Sequence, residues 1–127
     1  MKYILDTHVL IWYFENSKHL PQNIINIIDD IECQKYISSV TLWEIIIKSS
    51  IGKLEMGLPI NEFIEEITNS DLNILQINTD YLNVLIKLPF IHKDPFDRII
   101  VATAIAEGMV IITTDKNNQK YGVPWLW

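Results

Sequence analysis

The stretch HKDPFDRIIVATA, residues 92–104, places two carboxylates in the first turn of a predicted helix. Asp94 suits the N-cap, where its oxygen accepts from backbone N–H groups that lack intrahelical partners. Pro95 suits the next position, where φ is already helical and no N–H is needed. Asp97 then falls at the third helical position, and IIVATAIA behind it is apolar enough to be buried on most faces. The helix dipole alone favours an acid there. Three other acids make chemistry the larger question. Asp6 directly follows the apolar run KYIL, and Asp115 follows MVIITT. Glu44 stands between Trp43 and Ile45–Ile47, an unusual setting for a carboxylate.

If Asp6, Glu44, Asp97 and Asp115 share one rim, they repel one another, and raised pKa values or bound cations are the usual resolutions. An all-oxygen donor set favours Mg2+, or Mn2+, over zinc. No Cys/His spacing suggests zinc, no P-loop is present, and no G-x-S-x-G marks a serine hydrolase. No second acid stands two residues after Asp6, which argues against an aspartyl-phosphate phosphatase. Each acid also has an ordinary structural reading. Asp6 can be a helix N-cap, and Glu44 with Lys48 can be an i,i+4 surface pair contributing about 0.3–0.5 kcal/mol.

The elements that must position these acids alternate between strand and helix. Residues 2–5, 35–38, 73–77 and 109–113 read as short buried strands, with 125–127 a short final one. Helices are predicted after Asp6, from Pro21 through QNIINIIDDIE, from a Ser39 or Thr41 cap through TLWEIIIKSS, over 60–69, over 79–88, and from Asp94 to Gly108. KNNQKYGVP reads as a loop or short helix. This order predicts an α/β fold: a three-layer α/β/α sandwich with a four- to five-stranded, mainly parallel sheet. Ligands in such folds collect beyond the carboxyl ends of the strands. Asp6 and Asp115 lie past strand ends and Asp97 at a helix start, so all three belong to that edge. Glu44 joins them if its helix starts there too.

The 127 residues suggest one domain spanning 1–127. A single cysteine, Cys33, excludes an internal disulfide and fits a reducing compartment. No signal-peptide core and no run of about 18 apolar residues is present, so a cytoplasmic protein with no membrane segment is expected. The formal charge of −6 opposes nucleic-acid binding, which draws on Lys and Arg. One divalent ion would bring −6 to −4 and two would bring it to −2.

The chain resembles the PIN domains, and within them the VapC-type toxins of bacterial toxin–antitoxin pairs. The resemblance rests on LDTHVLIW at 5–12, TLWEIIIK followed by GKL at 41–54, DPFDRIIVATA at 94–104 and TTD at 113–115. These segments span nearly the whole chain in the expected order. The family's four acids map to Asp6, Glu44, Asp97 and Asp115, and Asp94 is an added acid assigned to capping first and to metal or water contacts second. The resemblance implies Mg2+-dependent cleavage of RNA, a homodimer, and inhibition by a small VapB-like antitoxin. Lys48 and Arg98 become candidates for steering or holding phosphate, each with a structural salt bridge as the competing role. Thr7 and His8 are candidates for touching substrate or for holding the turn. A catalytically silent PIN-like binding module and a structure-specific DNA nuclease are the alternatives.

Overall fold

Lys2–Leu5 forms the first strand, β1, and Asp6 ends it by capping the helix that follows, α1, Thr7–Phe14. The computed structural model describes residues 1–127 and continues with α2, Gln22–Asp29, and β2, Gln34–Ser38. Next come α3, Ser39–Ser50, and α4, Ile60–Thr68. After them lie β3, Asn73–Leu75, and α5, Thr79–Lys87. The final segment holds α6, Pro95–Glu107, β4, Val110–Ile112, a 3-10 turn at Asn118–Tyr121, and β5, Trp125–Leu126.

All strand pairs are parallel, in the order β3-β2-β1-β4-β5. Alternation along the strands shows why helices must cover both faces. Leu5, Ile37 and Ile112 point into a core shared with Val9, Ile24, Ile45 and Phe63 from α1 to α4. Ile4 and Ile111, one residue earlier in their strands, point to the opposite core with Ile100, Val101 and Ala104 of α6. The predicted three-layer α/β sandwich is therefore the observed one, and its sheet is wholly parallel. The strand order also places the site. The chain moves outward from β1 to β2 and β3, then crosses to β4 on the other side of β1. Such a reversal leaves a crevice at the carboxyl ends of the two central strands. Asp6 and Thr113 stand at those two ends.

Most boundaries follow local chemistry, and the exceptions have tertiary causes. Asp94 caps α6 by accepting from Phe96 N and Asp97 N, and Gly108 ends it in the left-handed conformation with φ 66°. The cap of α3 is Ser38, one residue before the expected Ser39, so β2 passes into α3 without a loop. The third strand stops at Leu75 rather than residue 77, since it is an edge strand paired only over Asn73–Leu75.

The second helix ends at Asp29, short of the predicted DDIE, and the buried Lys35 explains why. Its side chain is 1% exposed and donates to the carbonyls of Ile28 (2.6 Å) and Asp30 (3.0 Å) and to Asp71 Oδ2. A cation at a helix C-terminus satisfies carbonyls that have no intrahelical donor. Lys35→Met should therefore cost about 2 kcal/mol, the loss of charge-assisted bonds to the buried Ile28 carbonyl and the partly buried Asp30 carbonyl. A urea denaturation midpoint, compared with wild type at matched m-value, measures it.

Candidate active site

Each of the four candidate acids is held by at least one protein hydrogen-bond donor. Asp6, 4% exposed at the end of β1, accepts from His8 N on Oδ1 (2.9 Å) and from the Thr113 hydroxyl on Oδ2. Glu44, 3% exposed on α3, accepts from the Thr7 hydroxyl on Oε1 (2.6 Å) and from Lys48 on Oε2. Asp97, in the first turn of α6, accepts from Asn118 Nδ2 on Oδ1 (3.1 Å), while Oδ2 lies 3.3 Å from His92 Nε2. Asp115, past β4, accepts on Oδ1 from the backbone N–H groups of Asn117 (2.8 Å) and Asn118 (3.2 Å). Its Oδ2 lies 2.9 Å from His92 Nε2. A carboxylate oxygen can take more than one hydrogen bond, so this bracing fixes the groups without exhausting them.

Small polar side chains tie the acids into one cluster. Thr113 Oγ1 donates to Asp6 and accepts from Asp115 N (3.0 Å), joining the ends of β1 and β4. His92 spans Asp97 and Asp115. Lys48 reaches from Glu44 toward Asp94, whose Oδ2 is 4.0 Å away. Glu44 is thus linked to the α6 mouth through Lys48 and to the Asp6 turn through Thr7.

The electrostatics register this convergence. Burial raises the Asp97 carboxyl to about 7, and the charges of Asp6 and Asp94 add to the rise. Burial also raises Asp6, assisted by the charge of Asp115. Asp115 goes the other way. Burial works against its charge, but bonds from His92 and from the N–H groups of Asn118 and Asn117 outweigh it and hold the carboxyl below the usual range. Lys48 is raised: Glu44, then Asp94 and Asp97, overcome the cost of burial. Crowded carboxylates with opposed pKa shifts in a crevice are the arrangement expected where a cation or a proton transfer completes the site. A nitrogen of His92 and carboxylate oxygens of Asp97 and Asp115 all lie within 4.8 Å of one another. The carboxylate oxygens of Asp97 and Asp115, with Asp6 tied to Asp115 through Thr113, are a donor set that fits a hard divalent ion.

Not every candidate joins the cluster. Arg98, 7% exposed, donates to the carbonyls of Pro89 (2.8 Å) and Leu88 (3.3 Å) and lies 3.9 Å over the Phe90 ring. The phosphate-holding role expected of it is corrected to a structural one: its guanidinium fixes the chain ahead of α6. Thr7 is buried with its hydroxyl on Glu44, so it holds that acid in place at the wall of the adjoining cleft. Lys48 is no surface partner of Glu44, because that carboxylate is almost fully buried. Sequence reasoning assigned no site role to His92, Thr113 or Asn118. The available signals were the H-x-D spacing before α6 and the D-x-x-N spacing of the final turn.

A cleft of about 240 Å³ adjoins Glu44 and is lined by Thr7, His8, Lys48 and Lys53 among others. No helix is long and apolar enough to cross a membrane.

The PIN domain family model matches residues 3–123. Ribonuclease VapC22 of Mycobacterium tuberculosis is 20% identical over 122 residues, which cover 95% of this chain and 92% of that protein. Among solved structures, VapBC2 from Rickettsia felis, bound to a promoter DNA fragment, matches with a TM-score of 0.74 at 20% identity. That match covers 100% of this chain and 98% of the other. DNA-bound VapBC from Salmonella typhimurium matches with a TM-score of 0.69 at 19% identity, covering 100% and 97%. At such identities the structural likeness is one of fold.

Proposed function

The chain belongs to the PIN domain family, and from that premise we propose that it is a divalent-metal-dependent endoribonuclease, the toxin of a VapBC-type pair acting in the cytoplasm. The observation that carries this reading is the convergence of Asp6, Asp97 and Asp115 at the carboxyl edge of a parallel sheet, with Thr113 joining Asp6 to Asp115 and His92 beside Asp115 and Asp97. Asp6, Asp97 and Asp115, with Glu44 directly or through water, would hold Mg2+, or Mn2+ in its place. Such an ion, when bound, makes its water more acidic and offsets charge that gathers on phosphate oxygens.

The protein's own part is to position. Thr113, Asn118 and His92 keep the carboxylates in fixed rotamers, and Thr7 with Lys48 keeps Glu44 inward. The acidic net charge matters less than where the cations lie. Lys35 and Arg98 are internal and cannot meet RNA. Lys53, Lys93 and Lys116 are exposed; the first lines the cleft beside Glu44, and the others are sequence neighbours of His92 and Asp115. Phosphate contacts from these lysines and from Lys48 would carry the non-specific part of RNA affinity.

The proposed partners are a small VapB-like antitoxin and a second copy of the chain. An apolar hollow is lined by Val40, Trp43, Leu82 and Phe96, and the same helices expose Ile46 and Ile86. Exposed apolar surface of this kind marks association, and a second copy is its proposed cover.

The test is metal-stripped protein incubated with total RNA and with matched DNA, with and without Mg2+. Cleavage of RNA only in the presence of the ion is the expected result. Metal-independent RNA binding without cleavage would favour the silent binding module, and preferential DNA cleavage would favour the DNA nuclease.

A further inference from the structure

His92 stands within ligand distance of the two acids that its ring joins, and a His-Asp-Asp set would suit a transition ion. The hydrogen bonding on its far edge argues otherwise. The backbone N–H of Asp94 points at His92 Nδ1, 3.1 Å away. An amide N–H only donates, so Nδ1 offers its lone pair there and carries no proton. A neutral ring then carries its proton on Nε2, the atom facing Asp115 Oδ2 at 2.9 Å and Asp97 Oδ2 at 3.3 Å. Ionised carboxylates only accept. Donor and acceptors are therefore matched at both edges of the ring.

The ring is held at both edges, at Nδ1 by the Asp94 N–H and at Nε2 by Asp115, and its side chain is largely buried. A metal-bound histidine shows the reverse pattern, since it donates its other ring N–H to an acceptor. With Nδ1 already accepting, ligation through Nε2 would require a ring stripped of both protons.

We propose that His92 is not a metal ligand but a fixed Nε2–H donor, a positioning residue that holds Asp97 and Asp115 side by side and leaves the ion an all-oxygen site. This rests on the reading of the site as one for a divalent ion.

Three measurements on the full chain test it. Long-range 15N NMR of the wild-type ring at pH 8 should show the neutral Nε2–H tautomer, with and without Mg2+. Pulsed EPR of bound Mn2+ should show no coupling to a ring nitrogen. Titration calorimetry should show Mg2+ affinity about tenfold weaker in His92→Ala, in line with loss of an outer partner. His92→Gln, whose amide nitrogen can donate from the Nε2 position, should restore affinity to within about threefold of wild type on the same ground. A nitrogen coupling, an Nδ1–H tautomer, or a Gln variant as weak as the Ala variant would each overturn the proposal. Absence of any divalent-ion binding by wild type would overturn the metal-site reading itself, and this inference with it.

Discussion

Asp97→Asn should raise the thermal midpoint of the protein in EDTA at pH 8 and remove the further rise that Mg2+ gives the wild type. Burial, then the charges of Asp6 and Asp94, push the Asp97 carboxyl from 3.8 to about 7. The folded state therefore binds more protons than the unfolded chain between those values. Stability falls as pH rises through that window, and at pH 8 the whole penalty is present. The gap corresponds to roughly 4 kcal/mol as an upper limit. Asn recovers only part of it, because its amide nitrogen would lie beside His92 Nε2, which is 3.3 Å from Asp97 Oδ2. A gain of about 1–2 kcal/mol, or roughly 4–8 °C for a domain of this size, is expected. Asp115 has the opposite sign: its lowered pKa contributes stability above the unfolded value that is lost as pH falls through the folded one. Calorimetry from pH 4 to pH 8, with EDTA or with Mg2+, separates the two. The wild type should gain about 2.7 kcal/mol at an Mg2+ concentration one hundred times its Kd. A fall in the midpoint of Asp97→Asn in EDTA would mean that Asn118 and His92 outweigh the repulsion, and the strained-site reading would go.

What could be read from the sequence was local. The cap at Asp94, Pro95 in the first turn and Gly108 at the close of α6 involve residues a few positions apart, and all appear as expected. The strand–acid–helix pattern at Asp6 was equally plain, because Asp6 both ends β1 and caps α1. Once the order implied a parallel sheet, the position of the acids at one edge followed from topology. The end of α2 could not be read this way. It depends on Lys35, which lies in the next strand and reaches back to Ile28 and Asp30.

The bracing of the acids was hidden for the same reason. His92 meets Asp115 across 23 residues, Asn118 meets Asp97 across 21, and Thr113 meets Asp6 across 107. No periodicity or spacing rule reaches that far. Arg98 misled because adjacency in sequence is not adjacency on a helix. Consecutive helical residues point about 100° apart, so Asp97 faces the crevice while Arg98 turns to the carbonyls of Leu88 and Pro89. For Lys48 the i,i+4 pair with Glu44 is present, but not on the solvated face that the ordinary structural reading gave it: Glu44 is buried, with the Thr7 hydroxyl on its other oxygen.

Asp6→Asn should leave the fold standing and abolish RNA cleavage, with a loss on the order of 10³-fold or more. The structural side of the claim is a comparison of donors. Asn is as good an N-cap as Asp, so its Oδ1 can still accept from His8 N. Its amide can donate to Thr113 Oγ1, and the Thr113 hydroxyl then loses its acceptor, at about 1 kcal/mol. Removal of a carboxylate whose charge is disfavoured by burial offsets that loss. The midpoint of unfolding should therefore stay within about 1 kcal/mol of wild type. The chemical side differs, because an amide brings no charge to a divalent ion. Metal chemistry at a phosphodiester supplies several kcal/mol of transition-state stabilisation, and each 1.36 kcal/mol is a factor of ten in rate. Single-turnover cleavage, run beside calorimetric Mg2+ titration on the same preparation, measures both sides. Full cleavage by a folded Asp6→Asn protein would place the activity elsewhere, in another site or in a contaminating nuclease. Lost cleavage with undiminished Mg2+ binding would instead leave Asp97, Asp115 and Glu44 as a sufficient ion site, and move Asp6 from holding the ion to acting on the attacking water.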